Sequence, residues 1–142
     1  MSETVDIKIN LSSTNWGDRY PGARVYINET LIHEGLIEDP TEMSWSGDLA
    51  DGDHKIVIEM YGKIPGDTVM DGDTIVNDVV LNIDSIAIDE IELDQLLWSN
   101  SKYFPKDENA PESMIECVNL GWNGRWELNF SSPVYLWFLE NL

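Results

Sequence analysis

From Val5 to Leu11 every second residue is apolar, Val5, Ile7, Ile9 and Leu11 alternating with Asp6, Lys8 and Asn10. Successive side chains of a strand point to opposite faces, so this period predicts a strand with one buried and one wetted face. Arg24 to Ile27 and Thr30 to His33 are short apolar runs around Asn28-Glu29, which predicts a β-hairpin. Glu38-Asp39-Pro40 breaks the chain, and Met43 to Trp45 predicts another short strand. Asp51-Gly52-Asp53 reads as a turn, because Gly takes positive φ at no steric cost and Asp bonds nearby backbone. His54 to Tyr61 alternates again, with Ile56, Ile58 and Met60 on one side.

Pro65-Gly66-Asp67 and Asp71-Gly72-Asp73 mark further turns. Val79, Leu81 and Ile83 keep one phase, and Ile86, Ile88, Ile91 and Leu93 follow in others. Asp84-Ser85 and Asp89-Glu90 fall at the breaks, which predicts two strands or one strongly bent strand, with a helical turn over Leu93 to Trp98. Lys102 to Glu112, with Pro105, Pro111 and five charges, predicts a long surface loop. Met114 to Leu120 reads as a strand, and Asn123-Gly124 as a hairpin turn into a strand from Arg125 to Phe130. Val134 to Leu139 is apolar throughout, either a final strand buried on both faces or a helical turn on the core. Short strands recurring between turn signals predict an all-β fold, an antiparallel, jelly-roll-like β-sandwich, as one domain spanning 1–142.

The length and the apolar content allow a core, so the chain is expected to be ordered. Six consecutive apolar residues form the longest run, Val134 to Leu139, against the roughly 20 that a membrane span needs. The N-terminus has neither a basic nor an apolar region, so no secretory signal is expected and synthesis is placed in a cytoplasm. The lone Cys117, set among Ile115, Val118 and Leu120, excludes an internal disulfide and reads as a small buried thiol.

Charge changes the picture most. Eight Lys and Arg face 27 Asp and Glu, a formal net charge of −19. Such a surface repels phosphates, which excludes ordinary nucleic-acid binding. It leaves high solubility, cation binding and mimicry of DNA as positive readings. Catalysis finds little support. His33 and His54 are the only imidazoles, and neither lies in a GxSxG, HExxH, P-loop or GxGxxG setting, so no enzyme is expected.

Two groups of residues do suggest binding. Asp67, Asp71, Asp73, Asp78 and Asp84 crowd one stretch, with Asn77 and Asn82 interleaved. Calcium takes six to eight oxygens, which turns of the Asp-Gly-Asp kind can supply at one rim of a sandwich, although the spacing is not that of an EF-hand. The second group is aromatic. Of six Trp, Trp126 and Trp137 sit in apolar patterns and read as core. Trp16 and Trp122 stand in turn-like settings, where the ring stacks on a sugar beside Asn123, joins a protein interface, or packs under a loop.

Val25-Tyr26-Ile27-Asn28-Glu29, Gly52-Asp53-His54-Lys55-Ile56-Val57-Ile58-Glu59 and Asp84-Ser85-Ile86-Ala87-Ile88-Asp89 resemble the calcium-dependent xylan-binding modules. The resemblance implies a small β-sandwich whose acidic loops hold a calcium that contacts sugar hydroxyls, with Asp71, Asp73, Asp78 and Asp84 as ligands. Gly62-Lys63-Ile64-Pro65-Gly66-Asp67-Thr68, Ile88 to Asp94, Asn119 to Gly124 and the ending Ser132 to Asn141 resemble small acidic proteins of marine tailed phages, notably cyanophages. That resemblance implies a viral setting.

Together these predict a non-enzymatic phage virion protein, a head decoration or a tail or fibre component. It is expected in several copies or as a homo-oligomer, acidic face outward, anchored to other virion proteins by Trp122, Tyr135 and Trp137 and holding host-surface glycan. The alternative is a calcium-dependent carbohydrate-binding module. The third reading is a DNA-mimic inhibitor of a host protein.

Overall fold

In the computed structural model, which describes residues 2–141, the Val5–Leu11 alternation lies in β1 (Ser2–Thr14) and its four apolar residues are buried. Their strand is central. It runs antiparallel between β4 (Thr41–Ala50) and β8 (Val80–Ile88), with Ile7 opposite both Trp45 and Ile88. The two-residue strands β9 (Ile91–Glu92) and β12 (Asn119–Leu120) also pair with β8, completing a five-stranded sheet.

The second sheet has six strands in the order β11 (Met114–Ile115), β10 (Ser101–Pro105), β13 (Gly124–Ser132), β5 (Gly52–Tyr61), β2 (Gly22–Ile27) and β3 (Thr30–Leu36). Each neighbouring pair is antiparallel. Ile9, Leu11 and Ile86 from one sheet and Val25, Ile58 and Trp126 from the other belong to a single buried cluster. The fold is therefore an antiparallel β-sandwich, as the alternation predicts.

The hairpin across Asn28-Glu29 forms, with Asn28 at positive φ. The phase breaks have two causes. Asp84 is the extra residue of a β-bulge, where the partners of β1 skip from Ser85 to Ile83. Asp89-Glu90 is a two-residue turn with both residues at positive φ, which folds β9 back on β8. Two strands thus replace one long one. Leu93 to Trp98 does turn helical, as α1 (Gln95–Ser99).

Elsewhere the structure departs from the sequence reading. The short strand at Met43–Trp45 extends to ten residues, because β4 pairs with β1 along its whole length. Lys102–Glu112 is not all loop: β10 takes its first four residues, with Tyr103 fully buried, and the loop starts at Lys106. The strand expected from Met114 to Leu120 is two short strands, β11 and β12, in opposite sheets. Asn123-Gly124 is consequently a crossing between sheets and not a hairpin turn. Glycine at 124 meets another need, because an added Cβ would lie 2.5 Å from the Phe104 carbonyl oxygen.

Val134 to Leu139 resolves as a helix, α2 (Val134–Asn141). Pro133 precedes it, and its carbonyl accepts the Leu136 and Trp137 N–H groups. Trp137 meets Phe130 of β13 edge-on, at 6.2 Å between ring centroids. A further ribbon, β6 (Val69–Asp71) with β7 (Thr74–Asn77), stands apart from both sheets with Met70, Ile75 and Val76 exposed. Among the described residues no helix is long and apolar enough to cross a membrane.

Candidate functional site

Register puts one set of loops together. Pro105 opposes Gly124, Gly124 opposes Met60, and Thr14 opposes Val80, so the segments after β1, β5 and β10 and those before β8 and β13 share one end of the sandwich. Trp16, Asp67, Asp71, Asp73, Asp78, Trp122 and Asn123 all belong to these segments. Asp84 does not, lying exposed in the bulge of β8.

Two cations organise this end. Arg19 grips Asp67 with a fork: Nε donates to Oδ1 at 2.6 Å and a terminal nitrogen donates to Oδ2 at 2.9 Å. The same nitrogen also donates to the Gly62 carbonyl at 3.0 Å. Asp67 is 1% exposed, accepts the Ile64 N–H, and its carbonyl accepts the Trp16 indole N–H at 2.7 Å. The Arg19 hydrogen bonds outweigh burial and hold this carboxyl below the usual carboxylate range.

Lys63 is the second cation. Its Nζ donates to Asp78 Oδ1 and to the Gly121 carbonyl, both at 2.6 Å. Asp78 Oδ1 also accepts the Thr68 hydroxyl at 2.7 Å and the Val79 N–H at 2.8 Å. Burial pushes the Asp78 carboxyl up, but Lys63, Thr68 and Val79 together win and hold it low. The Asn123 amide then bridges to the Lys63 backbone, accepting its N–H at 2.9 Å and donating to its carbonyl at 2.8 Å. Asn123 thereby acts as a strand-like clamp between two loops.

Trp122 sits on this platform, half-buried. Its N–H donates to the Tyr103 hydroxyl at 3.1 Å, and that hydroxyl donates back to the Trp122 carbonyl. Burial pushes the Tyr103 pKa far up, so the hydroxyl keeps its proton and the backbone of Trp122 stays fixed. A cleft of 280 Å³ opens beside Trp122, lined also by Lys63, Ile64, Lys106, Asp107 and Asn109. Asp107 shapes its loop by accepting the Asn109 N–H at 2.8 Å. A half-buried indole on a hydrogen-bonded backbone can stack on one face of a small polar ring, while the amide, carboxylate and ammonium groups around it bond to the ring's hydroxyls.

Two wider hollows, of 560 Å³ and 600 Å³, lie on the outer faces of the sheets. Asp6, Ser44, Trp45 and Glu92 line the first, Asn28, His54, Lys55 and Arg125 the second. Both are more open to solvent, and neither is lined by Trp122. The end cleft is the candidate.

The five aspartates expected to hold calcium are not gathered into one donor set. Asp67 and Asp78 face Arg19 and Lys63, Asp71 and Asp73 flank and enter the exposed turn of the β6–β7 ribbon, and Asp84 lies on another part of the surface. Among the described residues no three His, Cys, Asp or Glu side chains converge to hold a metal. The residues present do not fit calcium. Trp16 is half-buried, packs on the core and lies outside the cleft lining. Sequence reasoning missed Lys63, Arg19 and Tyr103. The signal was there, because a chain with eight basic residues that places two beside acidic loops is pairing them.

No protein-family model matches the sequence, and no curated protein matches it. Two solved structures share the fold. One, described as vCBM60 in complex with galactobiose, superposes with a TM-score of 0.55 at 10% identity, covering 89% of this chain and 97% of that one. The other is the selenomethionine form of vCBM60, described in terms of circular permutation linking two families of calcium-dependent carbohydrate-binding modules. It superposes with a TM-score of 0.57 at 12% identity, covering 87% of this chain and 89% of that one. At such identities the likeness establishes a shared fold.

Proposed function

We propose that this protein is a non-catalytic carbohydrate-binding module that seats a neutral sugar in the end cleft against Trp122. The observation that carries this reading is the half-buried Trp122, its main chain tied to the Tyr103 hydroxyl and that of Gly121 to Lys63, beside Lys106, Asp107 and Asn109. Sugars present both a face of C–H groups and a rim of hydroxyls, and this cleft offers a partner for each. The fold shared with carbohydrate-binding modules supports the same reading. It favours the sugar-binding alternative over the virion role and the DNA mimic expected from the sequence. Detecting the chain in purified phage particles is the separate measurement that would attach it to a virion.

The test is a glycan array followed by titration of the best neutral ligand. Trp122→Ala is expected to weaken binding by about 10–100-fold, the loss of a buried aromatic anchor. Trp16→Ala, outside the cleft, is expected to bind within a few-fold of the parent. Unchanged binding by Trp122→Ala, or no binding to any neutral glycan, would reject the proposal.

A further inference from the structure

The oxygens around Lys63 are of the kinds that a hard cation collects. One is a carboxylate oxygen of Asp78, one a main-chain carbonyl of Gly121, each 2.6 Å from Nζ, with the Thr68 hydroxyl oxygen bonded to that same carboxylate oxygen. They come from separate loops, and the Lys63 side chain is only 10% exposed among them. An ammonium is a compact point charge with three donors, and can bind such oxygens as an ion does. The second carboxylate buried at this end, Asp67, is likewise neutralised by Arg19. One vCBM60 structure is described in terms of calcium-dependent modules, yet here Asp67 and Asp78 carry their own counter-charges.

We propose that Lys63 serves as a built-in cation, tying the segment after β5, the segment before β8 and the Gly121–Asn123 crossing into one platform, so that the cleft forms without calcium. That sugar binding needs no calcium rests on the carbohydrate-binding reading; the Lys63 platform stands without it.

Melting of the wild-type chain in calcium, in magnesium at the same ionic strength, and in chelator tests the platform directly. The magnesium arm controls for general screening of a −19 chain. The expected result is no calcium-specific shift. Lys63→Met is expected to melt roughly 5 °C lower in chelator. Calcium, more than magnesium, should restore part of that loss, because Asp78 and Gly121 then face a vacant seat. The double variant K63M/D78N should show no such recovery. A calcium-specific rise in the wild type would overturn the proposal, as would a Lys63→Met variant that melts like the parent. So would a loss that calcium does not relieve, since the site would then be an ordinary ion pair. Should Lys63→Met fail to fold, calorimetric titration of the wild type with calcium still decides, specific heat of binding counting against the proposal. Glycan binding that vanishes in chelator would overturn it while leaving the carbohydrate reading intact. Absence of glycan binding under every condition would sink that reading and leave the melting results to stand.

Discussion

Asp67 shows how much one side chain depends on a distant one. Its carboxylate is buried, and Arg19, 48 residues away in the chain, supplies two of the hydrogen bonds that favour the anion, with the Ile64 N–H adding a third. Asp67→Asn is expected to cost about 1–3 kcal/mol in urea unfolding at pH 7, a figure kept low because Arg19 is partly exposed to solvent. The pH dependence has a definite sign. The folded carboxyl titrates below the unfolded one, so its stabilisation is complete above about pH 4 and is lost as the pH falls through the folded value. Asp67→Asn should therefore flatten the acid limb, and an unchanged limb would show that other carboxylates set it. Chain pattern made Asp67 conspicuous as an oxygen donor but gave no hint of which charge would meet it. Local sequence reports residue type, whereas pairing is a property of register. By contrast Trp126 and Trp137 were legible, because their apolar neighbours recur at structural periods, and both are buried.

Elements were legible where alternation is strong and both partners lie in the core. β1, β5 and β13 are of this kind. β4 was seen only in part, since its inward positions are Met43, Trp45, Gly47 and Leu49, and a glycine there breaks the apolar count. That glycine makes room for a ring: a Cβ at 47 would lie 2.5 Å from the Trp45 indole. β10 was hidden by Pro105 and the charges beyond it. β11 and β12 were hidden by being too short to show a period. Turn geometry supplies two tests. Glu90 sits at φ 68° in the turn joining β8 and β9, a conformation glycine takes more readily. Glu90→Gly is expected to raise the melting temperature by about 3 °C, following roughly 1 kcal/mol of relieved strain. Gly124→Ala should go the other way by several degrees, because the Phe104 and Pro105 backbone at 2.5 Å and 2.7 Å cannot yield without moving β10. A neutral outcome for Gly124→Ala would mean that the two strands sit farther apart than described.

Over the whole molecule the few cations are unevenly placed. Arg24 bonds Glu34 and Glu59, and Lys55 and Arg125 both bond Glu127, all on the outer face of the six-stranded sheet. Arg19 and Lys63 hold the end loops, and on the five-stranded sheet Lys8 reaches Glu42 at only 4.0 Å. Most carboxylates therefore repel one another through solvent. Added salt should raise the melting temperature, most steeply up to about 0.1 M where the screening length approaches 10 Å. Acid should at first do the same. Below about pH 4 the loss of Asp67, Asp78 and Glu127 pairing takes over, so stability is expected to peak near pH 5. Monotonic decline from neutral pH would count against this balance. The sandwich itself was readable from alternation and turns, but which strands neighbour which was not, since pairing joins segments far apart. Ile7 has to find Ile88, and Gly52 has to find Ser132. Contacts so remote in sequence make for slow folding, on the order of milliseconds to seconds. Until residue 132 has left the ribosome, β5 is paired with β2 on one side only, and the edge that awaits β13 is a template for aggregation. The surplus negative charge keeps such half-made chains apart, which gives the acidic sequence a role during biosynthesis as well as after it.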